Sequence, residues 1–426
     1  MSGPLAAFWP GWAVGLFALG VLLGAAANCA VARLRFSPPP IDPWRGPTAG
    51  RPPQPWQHRL PLAGWILQAR TSGVATAAWL RPLLVELASG LLVASWYWWV
   101  VDQRGLLPPE IRGVPIGLDW SAHAIWLTHL VLLMLMLVAS LVDVDDQYIP
   151  DLITVPGTLL ALATAALWPR SLLPVVIELP LSIDFLRLSS PGGWPAMLAP
   201  RPHAGSLLLV CGLLLAWCAA LLPRRWYGRH GWRRAVGLCL ARIARDRLSW
   251  VMGLVALAGC GATLALWWQG GASWQAYVSA IVGLAASGGV VWAVRLIGSF
   301  ALRREALGFG DVTLMAMIGA FLGWQAALIV FFLAPLCGLV VALTLLVARR
   351  ETVIPYGPFL CLATVVVMAR WAALWEWARP LFALRGLVPL VMLGCLALMG
   401  LMLVGWRLVL DVLARRSSRP SSDGGA

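Results

Sequence analysis

Two acidic stretches stand out in a chain that otherwise carries little acid, and each lies where an apolar run starts or stops. Arg304-Glu305-Ala306-Leu307-Gly308-Phe309-Gly310-Asp311 delivers one carboxylate behind two glycines, while LVDVDDQYIPD, residues 141–151, holds Asp143, Asp145, Asp146 and Asp151. Carboxylates at membrane depth are costly to keep, so each is a functional candidate by default. Two of them held close share a proton and supply acid and base at once. That is the equipment of an aspartic protease working on membrane-anchored substrates. Gly308 and Gly310 suit the same chemistry, because without Cβ atoms they leave room for a substrate backbone. A turn followed by an Asp cap on a helix is the structural alternative, and G-x-G-D alone is a weak signal.

The elements that must hold these residues are membrane helices. Hydrophobic residues make up 60% and charged residues 12% of the 426-residue chain, too much apolar surface for a water-soluble globule. The apolar runs are continuous for about 20 residues rather than alternating, which predicts helices and not a barrel. Spans fall near 8–32, 82–101, 122–143, 151–168, 205–222, 249–268, 275–298, 311–323, 326–347, 358–376 and 387–408. The fold class is therefore an all-α, polytopic helical transmembrane bundle of about eleven helices, the piece at 311–323 being short for a vertical crossing. Four parts follow: residues 1–168 with the first Asp motif, a variable region 169–298, the G-x-G-D helices and last spans 299–408, and a tail 409–426.

The net charge of +14 comes from arginine alone, since the chain contains no lysine. Arginine gathers in 33–81, 223–248, 299–310, 348–357 and 409–426, which places those segments in the cytoplasm and the N-terminus outside. Asp143 and Asp311 then share the cytoplasmic side. Membrane lipids are the expected partners of this charge, and nucleic acid is not, because no aromatic-basic groove pattern accompanies it. Within 223–248, arginines alternate with Trp226, Trp232, Val236, Leu238 and Ile243, predicting a basic amphipathic helix on the membrane face. Loop 34–60 is Pro- and Arg-rich and is expected to be irregular, and 169–204 is read as a long outside loop without chemical signal. The N-terminus lacks a basic n-region, so its first apolar run is expected to stay as a span. The eight cysteines form no C-x-x-C pair and the five histidines are scattered, so neither a metal site nor a disulfide framework is expected. The twenty-six tryptophans are expected mostly as headgroup-level anchors.

REALGFGDVTLMAMIGAFLGWQ, residues 304–325, resembles the second signature of the type IV prepilin peptidases, membrane aspartic proteases of the G-x-G-D kind, and the stretch around Asp143 resembles their first. Residues 24–33 with Asn28, RPLLVEL at 81–87 and IPYGPFL at 354–360 are similar to further family segments, in order. The resemblance implies catalysis by Asp311 and by Asp143, the acid seven positions before Pro150. It implies removal of the basic leader from prepilin or pseudopilin precursors on the cytoplasmic side of the bacterial inner membrane, without a cofactor for proteolysis. In some relatives S-adenosylmethionine then N-methylates the new N-terminus. One departure stands: the segment 57–65, QHRLPLAGW, lacks the cysteine pairs many members carry, so no structural zinc is expected there.

Asp145, Asp146 and Asp151 are expected as a solvated cluster, Asp151 also as a helix cap. Glu86 and Glu305 are candidates for contact with the charged leader, or equally for internal ion pairs. Asp311 opens a helix and Asp143 closes one, so helix ends predict Asp311 as the base and Asp143 as the acid. The rival function is a proton- or cation-coupled transporter that uses Asp143 and Asp311 along a pathway.

Overall fold

The structure, a computed structural model, describes residues 12–37, 39, 41–44, 55–71, 75–114, 119–178, 181–222, 241, 245–347, 355–384 and 386–417. Within them α1 (Trp12–Leu34) lies along α3 (Thr76–Tyr97), with the short α2 (Ala63–Thr71) beside its start. Next come α4 (Asp119–Asp146), α5 (Asp151–Leu167), a hairpin of β1 (Pro174–Glu178) and β2 (Leu181–Phe185), α6 (Ala204–Ala220) and α7 (Arg247–Gln269). The chain then runs through α8 (Gly271–Leu302), α9 (Phe309–Leu322), α10 (Trp324–Val347), α11 (Gly357–Ala369), α12 (Trp371–Ala383) and α13 (Leu387–Ser417). This is an all-α polytopic bundle. Among the described residues seven helices are long and apolar enough to cross a membrane, or eight if α11 and α12 count as one span, and α5, α6 and α9 are shorter apolar helices.

The centre of the bundle is α9. Every residue from Asp311 to Leu322 is buried, as suits a helix that is apolar all round. It packs between α8 and α5, with α4 and α11 touching the end that carries Asp311. Small residues Gly283, Ser287 and Gly319 form the α8–α9 seam, and the Ser287 hydroxyl donates to the Met315 carbonyl at 2.9 Å. Such close backbone approach is how helices associate where lipid removes the hydrophobic incentive.

Three expectations need correction. The span at 358–376 is not one helix: α11 stops at Ala369 and α12 turns 93° away from it. Trp371, Trp375 and Phe382 lie on the buried face of α12 while Trp377 and Leu381 are exposed, the two-faced pattern of a helix lying in an interface. The loop expected over 33–81 contains α2 and the first turn of α3, although the described part of 34–60 is irregular apart from a short turn at Trp56–Arg59. The segment 169–204 is no featureless loop but a docked cap. Trp274, Trp324 and Trp371, at the starts of α8, α10 and α12, donate indole N–H groups to the carbonyls of Leu198, Leu188 and Pro174 at 2.9, 2.7 and 2.8 Å. Trp274 and Trp371 are fully buried, so these tryptophans fasten protein to protein rather than anchor at headgroups. Most of the basic helix expected over 223–248 lies outside the described residues, as does 418–426.

Candidate functional site

Asp143 projects from the last turn of α4 and Asp311 from the first turn of α9. Both are buried, 5% and 8% exposed, and both line one cavity of about 360 Å³. The rest of its wall is Gln147 to Ile149 and Asp151 from the α4–α5 turn, Ala306 to Gly310 before α9, and Pro355 and Tyr356 before α11. The carboxylates are within electrostatic reach of each other, and the Cys361 thiol, one turn into α11, lies within reach of both. Two acids within electrostatic reach in a low-dielectric site can share a proton.

Backbone amides meet both groups. Gly308 N–H faces Asp311, the return contact of a capping box in which a third-position acid reaches its own N-cap. Gly357 N–H faces Asp143, whose Oδ2 is buried and has no hydrogen-bond partner. The start of α11 therefore abuts the acid that ends α4. The helix-end argument for separate roles is corrected on this point: Asp143 meets the positive end of a second helix, so both carboxylates face helix N-termini.

The two motif glycines divide. A Cβ on Gly310 would stand 2.8 Å from the Cβ of Ile149, so that space is filled by the α4–α5 turn and not left for a substrate. A Cβ on Gly308 would meet Asp311 Oδ2 at 3.4 Å and Gly310 N at 4.0 Å, both ordinary contacts, which leaves room beside Gly308 on the cavity wall.

Asp145 and Asp146 are not a solvated cluster. Asp145, 10% exposed, binds Arg35 at 3.0 Å and Arg81 at 2.5 Å; Asp146 accepts from Phe36 N–H at 2.6 Å and the Ser37 hydroxyl at 2.5 Å. Together they tie the chain after α1 to the end of α4. Asp151 is the first residue of α5, one position after the N-cap Pro150, and is exposed. Glu86 lies outside the cavity of the two Asp: it is 1% exposed and accepts from Asn28 Nδ2, Leu62 N–H and Trp65 Nε1 at 3.2, 2.6 and 2.7 Å. Glu305 pairs with Arg295 outside the cavity wall. Tyr148, Asp151 and Tyr356 line the cavity without having been singled out as site residues. The signal for Tyr356 is its place in IPYGPFL, residues 354–360. A second cavity, of about 420 Å³, opens on the other side of the last turn of α4, with Asn28, Arg35, Trp44, Trp65, Arg81 and Asp145 in its wall.

Residues 242–343 match the model of the type IV leader peptidase family. The chain is 34% identical to a prepilin leader peptidase/N-methyltransferase of Aeromonas salmonicida over 89 residues, 20% of this chain and 29% of that protein. Proteins of the same name from Myxococcus xanthus and Escherichia coli are 28% and 36% identical, over 50% and 20% of this chain and 59% and 38% of their own lengths. The chain thus spans less than two thirds of each of these relatives. No solved structure matches it. Asp143 falls outside the family match, whereas Gly308, Gly310 and Asp311 fall within it, and the family matched at 242–343 is the one that the motifs resemble.

Proposed function

We propose that the chain is a membrane-embedded aspartic endopeptidase that removes the basic leader from type IV prepilin-like or pseudopilin precursors, on the cytoplasmic side of the bacterial inner membrane. The observation that carries this reading is the convergence of Asp143 and Asp311, from two different helices, on one cavity. One carboxylate takes a proton from the water that attacks the scissile carbonyl. The other, protonated, gives its proton to the carbonyl oxygen; as the tetrahedral intermediate collapses, the proton taken from water passes to the leaving amine and a hydroxyl proton returns to the carboxylate that gave one. Gly308, with free space beside its backbone, suits an extended substrate bound by edge hydrogen bonds. Asp151, exposed on the cavity wall, suits a basic leader.

The end of the bundle that carries the cavity also carries Arg35, Arg81, Arg295, Arg303 and Arg304, which supports a cytoplasmic orientation. On this reading 1–168 and 299–408 supply the two acids, the part of 169–298 ahead of the family match at 242–343 is the family-variable region, and 409–426 is a cytoplasmic tail.

The relatives' names join peptidase to N-methyltransferase. S-adenosylmethionine would supply the methyl group, and the second cavity suits it: Arg35, whose buried Nε has no partner, would hold its carboxylate, and the Trp44 and Trp65 rings its adenine. The test of the peptidase reading is co-expression with a prepilin-like substrate. A shortened substrate in its presence is the expected result, and an uncut substrate with a correctly inserted enzyme overturns the reading.

A further inference from the structure

Gly357, the first residue of α11, makes the tightest approach to Asp143 in this site. A Cβ built there would stand 2.5 Å from Asp143 Oδ2, 2.9 Å from Ile149 Cδ1 and 3.3 Å from Asp143 Cγ. Contacts that short do not persist, so something must give way. Ile149 is 3% exposed and is already wedged against Gly310 on its other side, which leaves it little room to retreat. Nor is α11 free to back off. Its first turn is set by Tyr356, whose carbonyl accepts from Phe359 and Leu360 N–H at 3.0 and 3.3 Å. One turn further on, the Cys361 thiol contacts the Met136 carbonyl of α4 at 3.8 Å. The softest coordinate left is the side-chain rotation of Asp143, which swings its carboxyl out of register with Asp311.

We propose that Gly357 is the positioning residue of Asp143. Its missing side chain and its backbone N–H together fix where that carboxylate stands, so the start of α11 acts as a back-stop behind the reacting pair. This rests on the peptidase reading above. It assigns a task to IPYGPFL that proline content alone does not: the glycine sets geometry, and Pro358 starts the helix behind it.

The experiment uses the full chain in detergent or nanodiscs with a prepilin-like substrate, comparing Gly357→Ala with Gly90→Ala. Gly90 is an equally tight glycine, 2.7 Å from the Phe17 ring by the same construction, but it sits between α3 and α1 outside the cavity. A misplacement of about 1 Å costs on the order of 100-fold in rate. Gly357→Ala should therefore lower kcat about 100-fold with KM changed less than about threefold, while Gly90→Ala lowers the unfolding temperature and keeps kcat. Should Gly357→Ala fold poorly, Gly357→Ala with Ile149→Val gives the methyl room on the Ile149 side; stability should return and kcat should not. A readout independent of cleavage is labelling of Asp143 by an apolar carbodiimide, mapped by mass spectrometry, which should rise in Gly357→Ala as the carboxyl leaves its pocket. Wild-type kcat in a folded Gly357→Ala protein, or unchanged labelling of Asp143, overturns the proposal. A wild-type protein that cuts nothing sinks the peptidase reading instead, and the labelling result then decides the placement by itself.

Discussion

Asp143 and Asp145 stand two residues apart on the last turn of α4 and open into different cavities, Asp143 beside Asp311 and Asp145 between Arg35 and Arg81. One turn of helix thus holds an acid available for chemistry and an acid consumed in fastening. Substitution should separate the two.

Asp143→Asn and Asp311→Asn each keep the size of the side chain and remove its proton chemistry. Each should lower leader removal at least about 100-fold, the scale of general acid–base assistance, with the protein still inserted in the membrane. Substrate size on a gel checks this. Cleavage near the wild-type rate in either variant excludes the two-acid mechanism.

Asp145→Asn should behave in the opposite way. Removing the shared partner leaves two half-buried guanidinium groups facing each other, and breaking a buried pair costs about 3–5 kcal/mol, less here because Arg81 is 42% exposed. The unfolding temperature should fall by several degrees while most of the cleavage rate remains. A large loss of kcat with unchanged stability would place Asp145 in the chemistry after all.

Asp151 lies on the cavity wall and is exposed, where a basic leader can reach it. Asp151→Asn should raise KM severalfold for a substrate with a Lys/Arg-rich leader and leave kcat nearly unchanged. A substrate with a neutralised leader should show no difference between the two proteins. Equal KM values on the basic substrate rule this contact out.

Zinc chelation should leave cleavage intact, because 57–65 holds no cysteine and a structural zinc site needs four ligands at suitable spacing. Elemental analysis of the purified protein is the check. About one zinc per chain contradicts the prediction.

The sequence located most helices to within a few residues, although fewer of them than the expected eleven are long enough to cross a membrane, because an apolar run of that length has no alternative to a helix. It also marked Asp143, Gly308, Gly310 and Asp311 for one site, and they do meet in one cavity. What it could not show is decided by contacts distant in the chain. Asp145 reads as solvated until Arg35 and Arg81 are brought to it. Gly310 reads as an opening for substrate until Ile149 fills it. The hairpin at 174–185 carries too short an alternation to stand out, and the segment 169–204 that holds it is fixed by indole donors on three separate helices. The 93° turn at Arg370 falls inside a run apolar enough to pass for a straight span.

α9 has 14 residues, a length of about 21 Å at about 1.5 Å per residue, against roughly 30 Å for the hydrocarbon layer around it. The cap residues Arg187 and Leu188 reach in to meet its far end, where Gln325 Nε2 and Trp324 Nε1 donate to their carbonyls at 2.7 Å each. α9 alone is therefore shorter than that layer, and the docked segment 169–204 supplies the polar partners at the end opposite Asp311, so one protein segment sets the level of the other.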